Sequence, residues 1–362
     1  MVHIWTYSGG MTLQPTSVPD LNTTDLYGDQ NNTNGTDCPD MYDWEWLYIG
    51  QPVYILLIAV LGIMFNVFVL MVFCFHKKAC TVAEIYLSNL AAADLVLVSC
   101  LPFWAVYVYN RFNWPFGWFL CKVVSMGIKM NAYSSIYFLI LVSADRYGVL
   151  VHPLSHGRMH RPKYAKLGCL LMWGFGLLLS VPTFVYRVED NSSDNITQCS
   201  LDYPNHTVQL VFDGMLFVFG LIIPISIISF CTVKIIQALK IKTIERFNAE
   251  RTEQKATTLV LAVLLAFLIC WVPFHVVTML NGLVEAKVLG GCHLEFVLRI
   301  CTQFFVYLAF FNSVLNPVLY VIVGKNFRKK VCELFQQWKI RKPATSESSR
   351  SLKMSSTLKT LL

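Results

Sequence analysis

Polar side chains interrupt the long apolar runs of this chain at only a few points, and these are the first candidates for chemistry. Asp94 lies in the apolar segment Leu-Ala-Ala-Ala-Asp-Leu, with no basic residue near it in the sequence. An ionisable residue in such a run usually has a function. Amide and hydroxyl side chains lie at comparable depth in three other runs. They are Asn66, Asn131, Ser135, Asn312, Ser313 and Asn316.

Oxygen atoms of carboxylate, amide and hydroxyl groups are good ligands for hard cations. We therefore predict an allosteric sodium site formed by Asp94, Asn131, Ser135, Asn312 and Ser313. The alternative is a hydrogen-bond network between helices in which Asp94 is protonated. No other cofactor or metal is expected, because the eight histidines lack metal-ligand spacing. The sequence also contains no nucleophile beside a base and no phosphate-binding loop, so we expect neither an enzyme nor a nucleic-acid partner.

Seven apolar runs must position these residues. The chain is 55% hydrophobic and only 14% charged, whereas a soluble domain carries about 25% charged residues. Each run is about 20 residues or longer, as a membrane-spanning helix requires. The sequence therefore predicts an all-α membrane protein, a seven-transmembrane helix bundle. The predicted spans are 51–75, 84–108, 119–150, 166–187, 208–239, 256–281 and 297–323.

Basic residues give the bundle an orientation. Of the 29 Lys and Arg residues, six lie on or near the N-terminal side: Arg111, Lys122, Lys129, Arg187, Lys287 and Arg299. The positive-inside bias of the others predicts an extracellular N-terminus and a cytoplasmic C-terminus in the plasma membrane. Glycosylation patterns in two outer segments agree. They start at Asn22, Asn31, Asn34, Asn191, Asn195 and Asn205.

The chain divides into four regions. They are an extracellular glycosylated arm (1–49), the bundle (50–323), an amphipathic membrane-surface helix (324–337) and a disordered cytoplasmic tail (338–362). No cleavable signal peptide is expected, because a long polar segment precedes the first apolar run. In the third region, bases alternate with apolar residues that share one helical face, so the helix should lie on membrane lipid. Cys332 is a candidate for palmitoylation; the alternative is a free thiol.

Several of the predicted spans carry residues typical of a conformational switch. Asp145-Arg146-Tyr147 closes the third span, where the opposite charges can pair until Arg146 is released to a partner. Prolines in five spans permit kinks. They are Pro102, Pro182, Pro224, Pro273 and Pro317. The predicted switch residues are Asp145, Arg146, Tyr147, Trp271, Pro273, Asn316, Pro317 and Tyr320.

Four of the 12 cysteines lie on the oxidising outer side, and four cysteines allow three pairings. The favoured pairing is Cys121–Cys199 with Cys38–Cys292. The first bond would tie the third span to the second outer loop, and the second would tie the arm to the third outer loop.

One marker in each span resembles the rhodopsin-like (class A) G-protein-coupled receptors over about residues 50–335. The markers include Asn66, Asp94, Asp-Arg-Tyr at 145–147, Trp173, Cys-Trp-Val-Pro at 270–273 and Asn-Pro-Val-Leu-Tyr at 316–320. The segments 80–95, 112–117 and 320–330 are further similar to the bradykinin (kinin) receptors. This resemblance implies a basic peptide ligand and coupling through Gq/11-type G proteins to phospholipase C and calcium, with roles in inflammation and vasodilation.

The resemblance is mixed between two receptor subtypes. The second span and the core of the sixth are similar to type 2, whereas Lys129 and the segment 146–153 are similar to type 1. In type 1, a Lys at this point favours kinins that lack their C-terminal Arg. Asn281 and Arg299 stand where the family has acids that receive the peptide's N-terminal Arg. Family members also recruit receptor kinases and arrestin through tail residues, here Ser346, Ser348, Ser349, Ser351, Ser355, Ser356 and Thr357.

Charge on the outer side agrees with a basic ligand, because fourteen acidic residues face six basic ones and such a field concentrates cations. Ordinary solvation of loops is the alternative. We expect the peptide's C-terminal carboxylate to pair with Lys129, assisted by Arg187. Glu285 or Glu295 can replace the missing acids for its N-terminal Arg. The other expected lining residues are Trp104, Ser125, Ile128, Phe274, His275, Thr278 and Gln303.

Three alternatives remain open at this stage. A receptor for another basic peptide, such as an angiotensin or chemokine relative, shares the charge pattern. A decoy that binds without G-protein coupling is disfavoured by the intact Asp-Arg-Tyr segment. A channel or transporter would continue charged residues through the membrane, but only Asp94 and the terminal Asp145 and Arg146 are present. For a receptor, activation should swing the sixth span outward, with a basic rim of Lys240, Lys242, Arg246, Arg251 and Lys255.

Overall fold

Seven long helices form a bundle in the computed structural model, which describes residues 45–76, 80–152, 161–191, 196–245, 251–322 and 324–341. Six are α1 (Glu45–Phe75), α2 (Val82–Tyr109), α3 (Gly117–Val151), α4 (Pro162–Tyr186), α6 (Arg251–Glu285) and α7 (Cys292–Ile322). The remaining one, α5, runs over His206–Phe217, passes through a π turn at Val218–Ile222 and resumes over Ile223–Glu245. Each is long and apolar enough to cross a membrane. The predicted fold class is confirmed.

Helix α3 occupies the centre of the bundle, where it packs against α2, α4 and α5 and also touches α6. It is the most buried of the seven helices, and α4 is the least buried. Leu170 and Leu178 of α4 are 69% and 65% exposed. Exposed leucines on a spanning helix face hydrocarbon, where they need no protein partner. Helix α1 packs against α2 and α7.

Side chains cap the start of α2 and the end of α4. At the start of α2, the Glu84 amide donates to the Thr81 hydroxyl (3.4 Å), and the Thr81 amide donates to the Glu84 carboxylate (2.8 Å). This capping box is encoded locally by the spacing of the two residues. At the end of α4, the ammonium group of Lys122 donates to the carbonyls of Phe184 (3.1 Å) and Val185 (3.2 Å). These carbonyls lie in the last turn, where helical partners run out.

The π turn of α5 was not predicted from the sequence. A wider turn frees a backbone carbonyl, and the Phe219 carbonyl accepts a hydrogen bond from the Tyr137 hydroxyl of α3 (2.9 Å). Gly220 lies so close to α6 that a Cβ atom there would sit 3.0 Å from Cε1 of His275. The turn therefore depends on residues from two other helices, which no local pattern in α5 reveals.

A two-stranded antiparallel hairpin covers the outer end of the bundle. It consists of β1 (Arg187–Asn191) and β2 (Thr197–Leu201), with Glu189 opposite Cys199. The predicted fourth span ended at residue 187, but Arg187 begins β1. The Trp114 amide of the α2–α3 loop donates to the Thr197 carbonyl (2.7 Å), so this loop is attached to the hairpin. Short strands of polar residues give too weak a pattern for prediction.

A last helix, α8 (Lys325–Arg341), follows α7 after Gly324. It extends four residues beyond the predicted end at 337. Likewise, α1 begins at Glu45, inside the region assigned to the arm. Both differences have one cause, since helices propagate past the apolar residues that reveal them and end where caps or packing stop them.

Candidate functional site

Two basic side chains meet at the outer end of the bundle, where the peptide site is predicted. Lys129 of α3 is half-buried, and its electrostatic neighbours include Asp213 of α5 and Arg187. Arg187 is completely buried. Arg187 is the first residue of β1, directly after the end of α4, and its side chain reaches α2. Its guanidinium carbon lies 6.0 Å from the centroid of the Trp104 ring. This distance is typical of a cation–π contact.

The guanidinium group of Arg187 uses only part of its hydrogen-bonding capacity. Its Nε–H donates to Sγ of Cys199 (3.2 Å). The terminal nitrogens Nη1 and Nη2 are buried and have no hydrogen-bond partner in the part of the chain that the structure describes. Burial lowers the pKa of Arg187 to about 9. A buried cation with free donors is suited to an anionic group of a ligand.

The predicted disulfide Cys121–Cys199 is present and ties β2 to α3. The Ser125 hydroxyl, one turn along α3, lies 3.9 Å from Sγ of Cys199, so Ser125 is brought beside Arg187 by the same bond. Cys292 also takes part in a disulfide. Its predicted partner Cys38 lies outside the described residues, and that pairing stays a prediction.

Helix α6 supplies a largely apolar wall. Phe274 is buried, and the buried ring of His275 lies 5.4 Å from that of Phe274 and 6.0 Å from that of Trp271. Ile128 of α3 is buried as well. The Thr278 hydroxyl donates to the Phe274 carbonyl in its own helix (2.9 Å), which uses the proton that a ligand would have received. On α7, Oε1 of Gln303 is buried without a hydrogen-bond partner.

The described residues near the outer ends of α6 and α7 do not form an assembled site for a cationic residue. The Asn281 amide, where the resemblance leads one to expect an acid, donates to the Thr302 hydroxyl (2.8 Å) and links α6 to α7. Arg299 is half-buried, and Glu295 is exposed in the first turn of α7. The Glu285 side chain lies outside the described part of the chain. The roles predicted for the two glutamates therefore stay predictions.

In the centre of the bundle, Asp94 holds three helices together. Its Oδ1 accepts a hydrogen bond from the Asn131 amide (3.1 Å), and its Oδ2 accepts one from the Asn316 amide (2.9 Å). The Ser135 and Ser313 hydroxyls donate to carbonyls of their own helices, so their oxygens can still accept or coordinate. Oδ1 of Asn312 is buried without a partner. These oxygen atoms are suitable ligands for a monovalent cation. The hydrogen-bond network is observed, and the sodium site stays a prediction.

The predicted switch residues lie toward the inner half of the bundle. Arg146 pairs with Asp145 (3.0 Å), and the Tyr147 hydroxyl shares a hydrogen bond with Nε2 of His152 (3.0 Å). The Trp271 ring, two residues before Pro273, stacks on Phe267 with centroids 5.7 Å apart. Tyr320, which follows Asn316 and Pro317 on α7, is buried. The predicted outward swing of α6 on activation stays a prediction.

Comparison with known proteins identifies the family. The model of 7 transmembrane receptors (rhodopsin family) matches residues 65–320. The B2 bradykinin receptor of Oryctolagus cuniculus is 47% identical over 315 residues, which cover 86% of this chain and 85% of that protein. The B2 bradykinin receptor of Homo sapiens is 44% identical over 346 residues (92% and 88%). The human B1 bradykinin receptor is 39% identical over 326 residues (89% and 92%). The chain belongs to the bradykinin receptors of the rhodopsin family.

The subtype comparison is informative for this bradykinin receptor. The compared B2 receptors are 44–47% identical to it, and the compared B1 receptors are 39–41% identical. Whole-chain similarity thus favours the B2 group, although Lys129 resembles type 1. The relatives are named as receptors rather than as enzymes, in agreement with the expectation from the sequence.

The receptor has a second polar cluster, at the end of the bundle opposite the hairpin, that sequence reasoning missed. Helix α8 packs by its buried Phe327 and Leu334 and forms two ion pairs with the bundle. Lys330 pairs with Glu84 (2.8 Å), and Glu333 pairs with His76 (2.9 Å). The capping box marks Glu84 as a helix-start residue, but no local signal indicates a partner 246 positions away.

Of the predicted modification sites, the structure describes the side chains of Cys332 and Asn205. Cys332 is exposed on α8, as acylation requires. Asn205 is exposed, and its Oδ1 accepts the Val208 amide (2.9 Å) as the N-cap of α5. The other sequons are outside the described residues or have side chains that are; they are Asn22, Asn31, Asn34, Asn191 and Asn195. The same holds for the tail serines and for the basic rim of Lys240, Lys242, Arg246, Arg251 and Lys255.

Proposed function

We propose that this receptor binds a basic kinin-type peptide in its outer cavity, with the C-terminal carboxylate directed to Lys129 and Arg187. Its relatives are named bradykinin receptors. The observation that carries the proposal is the buried guanidinium of Arg187, whose two terminal nitrogens have no protein partner. A carboxylate supplies two oxygens in the geometry that a guanidinium group prefers. Phe274, Ile128 and Trp104 would provide apolar surface around the peptide carboxylate and the two basic side chains.

We infer that Lys129 decides which kinin is preferred. A peptide shortened by its C-terminal Arg carries its carboxylate one residue earlier and presents no second positive charge to Lys129. Repulsion between Lys129 and a C-terminal Arg therefore disfavours the intact peptide. Whole-chain identity favours the B2 group, so residue 129 and the rest of the chain suggest different subtypes. The proposal follows the residue that is expected to touch the ligand.

For the N-terminal Arg of the peptide, we propose that Glu295 or Glu285 substitutes for the family acids. Asn281 is neutral and already bonded to Thr302, and Arg299 is cationic. The exposed position of Glu295 at the start of α7 is compatible with a rim contact. Such a solvated contact is worth less than a buried ion pair, so the N-terminal Arg should contribute little to affinity in this receptor.

Inside the cell, we propose coupling through Gq/11-type G proteins to phospholipase C and calcium release. The Asp145–Arg146 pair is the contact that opening of the inner cavity would break, which would release Arg146 to a G-protein helix. Coupling to a G protein inside the cell requires the Asp145–Arg146 end of the bundle to be cytoplasmic and the N-terminus to be extracellular. The positive-inside bias of the sequence supports this orientation in the plasma membrane. Receptor kinases and arrestin would act on the Ser/Thr cluster of the tail. Palmitoylation of Cys332 would add a membrane anchor to α8.

Calcium release in transfected cells tests the function directly. Cells expressing the receptor are exposed to an intact kinin and to the same peptide without its C-terminal Arg. We expect calcium transients from both, with the shortened peptide at least about tenfold more potent, which corresponds to about 1.4 kcal/mol. A Gq/11 inhibitor should abolish the response. Surface-expressed receptor that responds to neither peptide but does respond to an angiotensin- or chemokine-type peptide would refute the kinin assignment.

A further inference from the structure

Arg187 is a polar group that the peptide-free bundle leaves unmatched. Its side chain has 0% exposure, and its Nε–H donates to Sγ of Cys199. Its Nη1 and Nη2 atoms have no hydrogen-bond partner among the described residues. Among the described residues the ion pairs are His76–Glu333, Arg146–Asp145 and Lys330–Glu84, and none involves Arg187. An unpaired buried charge is strongly unfavourable unless a counter-charge approaches it.

The groups that act directly on Arg187 are hydroxyl donors and a ring face, and no carboxylate of the described residues is among them. The phenols of Tyr107 and Tyr203 are its electrostatic neighbours. Burial, followed by the nearby Asp213, raises the pKa of Tyr203, so this phenol stays neutral. Lys129 approaches from α3 and repels the guanidinium. Asp213 acts on Lys129 and on Tyr203 but is not among the electrostatic neighbours of Arg187. The guanidinium is therefore surrounded by neutral O–H groups.

Loss of the proton does not relieve the charge near neutral pH. Burial lowers the pKa of Arg187 from 12.5 to about 9. This value still lies above the pH of extracellular fluid, so the group remains a cation in the receptor at rest. Among the described residues no carboxylate pairs with Arg187, and deprotonation does not neutralise it, so an ion from the solvent is a candidate for the counter-charge.

We propose that Arg187 binds a small inorganic anion of the chloride class beneath the β1–β2 hairpin in the peptide-free receptor, and that the peptide carboxylate displaces it. The second half of this proposal rests on the proposed function. Nη1 and Nη2 are available donors in one plane, and the neighbouring hydroxyls can complete the shell. Chloride is small, monovalent and abundant outside cells. A ligand that binds only the folded receptor stabilises it, and above the dissociation constant this stabilisation grows with the logarithm of the ligand concentration.

Thermal stability of the purified, peptide-free receptor tests the anion site. The apparent melting temperature is measured while chloride replaces gluconate at constant ionic strength, so that general screening is unchanged. We expect the melting temperature to rise with the logarithm of the chloride concentration, to rise similarly with bromide, and to show no rise with gluconate. Arg187→Gln should abolish the rise. Lys287→Gln removes an exposed base from the third outer loop and should leave the rise intact.

Competition with peptide tests the displacement. In wild-type receptor, changing from gluconate to about 100 mM chloride should lower the affinity of a kinin with a free C-terminal carboxylate about threefold or more. The affinity of the same kinin with a C-terminal amide should not change, because the amide carries no charge to compete with the anion. This comparison uses wild-type protein only, so it remains decisive even if Arg187→Gln fails to reach the cell surface.

Equal melting temperatures in chloride and gluconate would overturn the anion site, and so would a chloride effect that persists in Arg187→Gln. Chloride sensitivity shared by the carboxylate and amide peptides would overturn the displacement. Failure of the proposed function is a separate result: no kinin would elicit calcium release in either salt, while the chloride effect on melting of the peptide-free receptor would still be measured.

Discussion

Lys330 of α8 and Glu84 of α2 form an ion pair of 2.8 Å at the end of the bundle opposite the hairpin. Both side chains are almost buried. The same carboxylate oxygen of Glu84 also accepts the Thr81 amide, so one residue caps α2 and holds α8. The Lys330 ammonium further lies 6.0 Å from the Phe73 ring of α1. Helix α8 is thus positioned by charge as well as by its apolar face.

Removing this charge should destabilise the receptor. Lys330→Gln leaves Glu84 nearly buried without its counter-charge, a loss on the order of 3 kcal/mol. We expect the apparent melting temperature in detergent to fall by several degrees. Lys330→Arg should retain most of the stability, and Lys329→Gln, which removes an exposed neighbouring base, should change little. Equal melting temperatures for Lys330→Gln and Lys329→Gln would show that the pair does not hold α8.

Replacement of Lys129 with Ser should change peptide preference. Without the ammonium group, the advantage of kinins lacking the C-terminal Arg should fall about tenfold, equivalent to about 1.4 kcal/mol. Competition binding with the two peptides measures the ratio, and Lys287→Ser serves as the matched control on the outer surface. An unchanged preference in Lys129→Ser would discard the role assigned to Lys129.

The predicted sodium site has a direct test in Asp94→Asn. If sodium binds at Asp94 and favours the resting conformation, replacing sodium by N-methylglucamine should raise agonist affinity about threefold in wild type. The amide has no charge to hold the ion, so the variant should show no such change. Asp202→Asn, which alters an exposed acid of the outer loop, should behave as wild type. Sodium sensitivity that survives in Asp94→Asn would leave only the hydrogen-bond network at this position.

The π turn of α5 predicts a stabilising role for Tyr137. Tyr137→Phe removes the hydrogen bond to the Phe219 carbonyl, which costs about 1 kcal/mol. The apparent melting temperature should fall by a few degrees. Tyr164→Phe provides a control on the exposed face of α4. A Tyr137→Phe variant as stable as Tyr164→Phe would mean that the turn does not need this hydroxyl.

The tail cluster offers a cellular prediction. Alanine at Ser346, Ser348, Ser349, Ser351, Ser355, Ser356 and Thr357 removes every predicted phosphorylation site in the cluster. Phosphate groups supply the negative charge that arrestin would bind, so agonist-driven internalisation should fall at least about threefold while the first calcium transient is retained. Surface receptor is followed by flow cytometry. Internalisation that proceeds at the wild-type rate would remove the cluster from this role.

The amino-acid sequence determined the seven spans and most of the chemical inventory. Apolar runs longer than the hydrocarbon core leave a chain few alternatives to helices, so spans such as α2 and α3 followed from composition and length. Asp94, Arg146 and Trp271 could be selected because a polar or bulky residue is conspicuous in an apolar run. Pairing of Cys121 with Cys199 followed from the predicted side of the membrane and a preference among three pairings.

Only the tertiary structure decided which of these groups meet. Arg187 belongs to β1 rather than to α4. Its guanidinium group becomes buried only because α2, α3 and the hairpin pack around it, which the sequence does not reveal. The π turn requires Tyr137 from another helix, and Lys330 finds Glu84 across 246 positions. Such contacts depend on how helices pack and rotate against one another, whereas the hydrophobic pattern of a membrane helix specifies that it is inserted but says little about which face meets which neighbour.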